Sequence, residues 1–131
     1  DKSFAAKLKA KYKAVTKKEL TELAYGAETY DAVILAALAA QAAGSATGAA
    51  VKSQITNVSL AGTGKVKVTN FAAGLKAIKA GKKVNFDGQS GPVEFDKNGD
   101  PTGAFIGIYR YGTAGTYAEN LLKVVAGNTV K

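Results

Sequence analysis

From Ala27 to Ala43 the chain contains neither glycine nor proline, and from Ala32 onward it carries no charge. A stretch of that length and composition has one economical backbone, an α-helix. Alanine, its commonest residue, has the highest helix propensity, and the larger side chains recur at helical spacing. Tyr30, Ile34, Leu35, Leu38 and Gln41 fall on one face, while Ala39, Ala40, Ala42 and Ala43 let a neighbour approach closely. One long, mostly buried helix over 27–43 is expected, ended at Gly44-Ser45 by a glycine in the left-handed cap position. The apolar run Ala32–Ala43 is too short to cross a membrane.

The rest of the chain must pack on that helix with little material. Apolar residues make up 47% of the 131, but much of that is alanine, and only five Phe and six Tyr supply large rings. The core is light for the length. There is no cysteine and no histidine. Disulfides, thiolate chemistry, histidine metal ligands and a Ser-His-Asp triad are therefore excluded for this chain, which argues against an enzyme. No cofactor is indicated.

The net charge of +8 comes from 18 basic and 10 acidic residues, and Arg110 is the single arginine among the bases. Lysine suits a solvated face, whereas nucleic-acid readers favour the arginine fork, so nucleic acid is not the expected partner. A lysine-rich interaction module is the alternative reading. The charge is clustered, with seven lysines against Asp1 and Glu19 in residues 1–20. That lysine-studded start has no hydrophobic segment of the kind a signal peptide needs.

Residues 2–14 read as a first amphipathic helix with Phe4, Leu8 and Tyr12 on one face. Thr16 and Glu19 have capping-box spacing within a connector over 16–25. Thr47 is expected to cap a third helix through Ile55, with Val51 and Ile55 inward, followed by a loop over 57–65. Val66 and Val68 alternate with lysines as a short strand. Asn70 caps a helix with Phe71, Leu75 and Ile78 that ends at Gly81. Beyond it the chain is β-like: Val93 and Phe95 alternate, residues 96–100 turn, and Phe105, Ile106, Ile108 and Tyr109 make the best strand. A turn over Gly112 to Gly115, a short strand or helix over Thr116–Val125, and a frayed end complete the expectation.

Three segments carry a resemblance: Ala24–Val33 with its Tyr30-Asp31-Ala32 triplet, Phe71–Phe86, and above all Asp87–Gly103 with Gly91-Pro92-Val93-Glu94-Phe95-Asp96 before Gly99-Asp100. Their order resembles the C-terminal part of the substrate-binding components of branched-chain amino acid ABC transporters. The resemblance implies an α/β chain, the C-terminal part of a two-lobed periplasmic-binding-protein type I fold, with helices, then short strands and a crossing strand. It further implies residues 1–20 as a C-terminal-lobe helix and connector, 21–103 as part of the N-terminal lobe, and 104–131 as the third crossing and return.

By the same resemblance the protein captures a small solute, such as an amino acid, an amide or urea, and passes it to an ABC permease. It would be periplasmic, or extracytoplasmic as an anchored lipoprotein. Tyr30, with Tyr25 and Glu28 beside it, would lie near the ligand, and Phe105, Gly107, Ile108 and Tyr109 would form the hinge crossing. The N-terminal part of the same protein would be a partner, and copies of the isolated chain would self-associate through the uncovered surface. Asp31 is expected to stabilise the start of its own helix. A calcium loop at 96–100 is disfavoured, because the glycine is misplaced and Gly107 stands where a bidentate glutamate is needed.

Overall fold

The computed structural model describes residues 2–96, 98–109 and 121–128. They divide into two compact units, Asp1–Val93 and Glu94–Lys131. No single helix among the described residues is long and apolar enough to cross a membrane.

In the first unit, α1 spans Lys2–Thr16, α2 Gly26–Ala43, α3 Gly48–Ser59 and α4 Phe71–Lys79, while β1 (Val66–Val68) and β2 (Val84–Phe86) flank α4 in sequence. The two strands pair in parallel, Val66 opposite Val84 and Val68 opposite Phe86. β1, α4 and β2 thus form one βαβ unit, whose helix supplies the crossover that parallel strands require. Because side chains alternate along a strand, Val66, Val68, Val84 and Phe86 share one face, and Lys67 and Asn85 share the other. β2 packs on α3 and α4, and α2 closes over those two helices. The core is Leu35, Leu38 and Ala39 of α2, Val58 of α3, Val68 of β1, and Val84 and Phe86 of β2. Gly74 of α4 makes the α2–α4 approach possible, since a Cβ there would stand 2.5 Å from Leu38 Cδ2.

The long helix forms as expected and ends at Gly44, with φ 64° and its N–H bonded back to the last turn. Its buried stripe is different. Asp31, Leu35, Leu38 and Ala39 face inward, whereas Tyr30 and Gln41 are exposed and Val33 is 63% exposed. The helix is covered along one stripe rather than mostly buried, because α3 and α4 both approach that side.

The expected caps hold for two helices: Thr47 Oγ1 accepts from Ala50 N, and Asn70 Oδ1 accepts from Ala73 N at 2.9 Å. The helix α3 continues past Ile55 to Ser59, taking in the first residues assigned to a loop. Val58 and Ser59 give it a reason, since both are buried against the rest of the unit. Val51 and Ile55 are half-buried.

Thr16 and Glu19 form no capping box. Thr16 is the last residue of α1, its hydroxyl bonded to the Tyr12 carbonyl, and Glu19 pairs instead with Lys13. The connector is organised by Glu22, whose Oε1 accepts from the N–H groups of Leu23 and Ala24, both at 2.8 Å.

In the second unit, Asp96 Oδ1 accepts from the N–H groups of Asn98 and Asp100, and Gly99 takes φ 91°. Asp100 bonds back through its backbone carbonyl, while the carboxylate that fastens the turn is that of Asp96. The strand β3 (Gly103–Tyr109) pairs antiparallel with β4 (Leu121–Asn128), with an irregularity between Ile108 and Tyr109. The strand β4 therefore continues beyond Val125 into the stretch expected to fray. Val93 and Phe95 do not build a ladder: Phe95 makes an isolated bridge with Pro101, as Pro92 does with Asp87. Arg110 and the Gly112–Gly115 turn lie outside the described residues.

Candidate solute site

The parallel strands end at Val68 and Phe86, and the chain leaving those ends forms one wall of a cavity of about 430 Å³. Thr69 and Asn70 follow β1 into it, and Gln89 follows β2. A crevice outside the carboxyl ends of parallel strands is where open α/β sheets take ligands, since loops there are free of the ladder and α4 starts beside them. The volume is in the range of small-molecule sites.

The opposite wall comes from helices. Tyr30 of α2 lines the cavity together with Phe4 and Lys7 of α1. The Phe4 and Tyr30 rings meet with centroids 5.2 Å apart and planes tilted by 58°, an edge-biased arrangement that aromatic quadrupoles favour. Leu8 of α1 can sit close to α2 because Gly26 has no Cβ, which would stand 2.9 Å from Leu8 Cδ2. Sequence spacing alone placed Phe4 on a packing face; the fold makes it part of the cavity as well.

One buried carboxylate holds the loop that carries Gln89. Asp31 is 1% exposed and lies beyond the first turn of α2, so it does not cap its own helix. Its Oδ1 accepts from Gln89 N at 2.8 Å, and its Oδ2 accepts from Ser90 N at 2.6 Å and Ser90 Oγ at 2.5 Å. No lysine pairs with it among the described residues; the three donors compensate the buried charge. A Cβ on Gly88 would overlap the carboxylate, so only glycine lets the loop come this close. The signal for this contact was the pair Tyr30-Asp31 and Gly88–Gly91, but 58 residues separate Asp31 from Gln89 and no local pattern joins them.

Of the residues expected near a ligand, Tyr30 lines the cavity. Tyr25 precedes α2 with φ 58° and is 78% exposed, and Glu28 is exposed in the first turn of α2; neither is in the cavity wall. Asn70, Gln89 and Phe4 are additional wall residues. A second cavity, of about 410 Å³, lies at the amino ends of the strands beside Lys82 and Lys83. Its Lys65 is committed to the Asn57 and Leu60 carbonyls at 2.5 and 2.7 Å.

The family model of the receptor family ligand binding region matches residues 2–109, which contain every residue of the cavity at the strand ends. The chain belongs to that family. No curated protein and no solved structure matches it significantly. The receptor family ligand binding region is a non-catalytic binding domain, so this chain is not an enzyme. Its helices and short strands are an α/β fold related to the type I periplasmic-binding-protein superfamily. The match covers α1 to β3, including both the βαβ unit and the loop fastened by Asp31.

Proposed function

We propose that this protein captures a small solute outside the cytoplasm and delivers it to an ABC importer in the membrane. The observation that carries the reading is the cavity at the carboxyl ends of β1 and β2, walled by Tyr30, Asn70 and Gln89, in a ligand-binding family. Tyr30 contacts the solute, with Tyr25 and Glu28 contributing at the mouth of the cleft. Residues 1–20 belong to the C-terminal lobe, 21–103 to the N-terminal lobe and 104–131 to the third crossing and return. Phe105, Gly107, Ile108 and Tyr109 form that crossing, about which the lobes close to present the loaded form to the permease. Membrane anchoring as a lipoprotein is part of the same proposal.

The resemblance to branched-chain amino acid binders makes leucine, acetamide and urea the first solutes to screen. Calorimetry on the complete protein is expected to show one-site binding by a member of these classes, with the solute recovered unchanged. Conversion of the solute to a product, or the absence of any small-molecule binding, overturns the reading.

The second face of the β1–β2 sheet supports a partner segment. Parallel sheets are ordinarily covered on both faces, yet this face offers only Lys67 and Asn85 at its centre, and Asn85 Oδ1 is buried without a hydrogen-bond partner. More chain from the same protein is the proposed cover. Copies of the 131-residue chain alone are expected to associate in place of that segment. Light scattering at matched concentrations checks this, and a monomer at high concentration is the opposing result.

A further inference from the structure

The cavity at the strand ends is charged in one sense. Lys7 and Lys11 both line it, one helical turn apart on α1, and among the described residues no aspartate or glutamate is in its wall. The nearest acid in sequence to Tyr30 is Asp31, whose two oxygens are occupied by the Gln89 and Ser90 donors. Glu28 is exposed and outside the wall. The ion pairs of the described residues, Lys13 with Glu19 and Lys67 with Asp87, involve neither cavity lysine. Side chains four apart on a helix are neighbours, so the two ammonium groups repel one another unless an anion lies between them. Beside them stand the Phe4 and Tyr30 rings, and beyond them the amide groups of Asn70 and Gln89.

A solute carrying a protonated amine would enter this space against two positive charges with no acid among the described wall residues to receive it. A neutral amide or urea would leave both charges unused. We propose that the solute of this cavity is an anionic carboxylate with a ring or apolar body and no ammonium group. Lys7 and Lys11 take the carboxylate, the Phe4–Tyr30 pair takes the body, and Asn70 or Gln89 serves a further polar substituent. This rests on the solute-capture reading and replaces the zwitterion, amide and urea classes as its solute.

The test is calorimetry on the complete protein with benzoate, benzamide and benzylamine, one ring with an anionic, a neutral and a cationic substituent, alongside leucine, acetamide and urea. Benzoate is expected to bind at least about tenfold more tightly than benzamide, with benzylamine weakest, and to weaken as salt is raised. Lys7→Gln/Lys11→Gln is expected to lose about tenfold for benzoate. Lys9→Gln/Lys79→Gln, the same charge change at exposed lysines outside the wall, is expected to leave affinity within about twofold. Equal affinity for benzoate and benzamide, tighter binding of leucine, or equal loss in the two double variants overturns the anion assignment while leaving solute capture standing. If none of the six compounds binds, the anion assignment falls, and solute capture falls with it only when a wider small-molecule screen also finds no binding.

Discussion

Replacing Asp31 by alanine is expected to destabilise the first unit by about 3 kcal/mol and to release the loop that carries Gln89. The carboxylate receives three hydrogen bonds from Gln89 and Ser90. A hydrogen bond to a charged group contributes about 1.5–3 kcal/mol, but the three share one anchor, and the freed loop regains water on release, so their sum overstates the loss. Amide exchange at Gln89 and Ser90 should accelerate far more than exchange at Leu35 and Leu38, because the latch holds a loop and not the helix core. Solute affinity should fall with it, since Gln89 is in the cavity wall. Asp31→Asn keeps the shape but turns one acceptor into a donor, and is expected to cost about half as much. Gly88→Ala should reproduce the loop release from the other side, by placing a methyl where the carboxylate lies. Chemical denaturation with residue-resolved exchange decides: a loss under about 1 kcal/mol, with Gln89 and Ser90 still protected, removes the latch.

The second large effect is expected at Phe86. It is fully buried, at the end of β2, and is the largest fully buried side chain among the described residues, sharing the core with Leu35, Leu38, Ala39, Val58, Val68 and Val84. Phe86→Ala should cost about 3–5 kcal/mol, the transfer of a ring to water plus the hole it leaves. In a core otherwise built from alanine and aliphatic side chains, nothing large enough stands ready to fill it. The exposed Val33, on the outer side of α2, is the contrast. Val33→Ala should change stability by less than about 0.5 kcal/mol. Denaturant melts of the two variants test this directly, and a Phe86→Ala loss no larger than that of Val33→Ala would place the core elsewhere.

The helices were legible because their determinants are local. A run without glycine or proline, Thr47 and Asn70 as caps, and Gly44 and Gly81 in left-handed conformation act within one or two turns, and the structure keeps them all. The errors also have a common cause. Thr16 and Glu19 satisfy a capping motif, yet Lys17 turns the chain away with φ 61° and leaves Thr16 at the helix end. Val93 and Phe95 alternate like a strand, but alternation makes no strand without a partner edge beside it. Asn57 and its neighbours read as a loop until the burial of Val58 and Ser59 carries the helix through them.

The sequence by itself determined which segments are helical, that histidine and cysteine chemistry is absent, and that the chain resembles a solute-binding family. The family model agrees at the level of a receptor ligand-binding region. Only the tertiary structure decided which residues of those segments meet. Periodicity put Tyr30 on the buried stripe, whereas the fold turns it to the cavity beside Phe4 and buries Asp31 instead. A helical face is chosen by what packs on it, and here α3 and α4 come to one side of α2 while the loop after β2 reaches its start. The bond from Gln89 to Asp31 spans 58 residues, so its geometry exists only once the βαβ unit has closed and brought the strand ends to the helix.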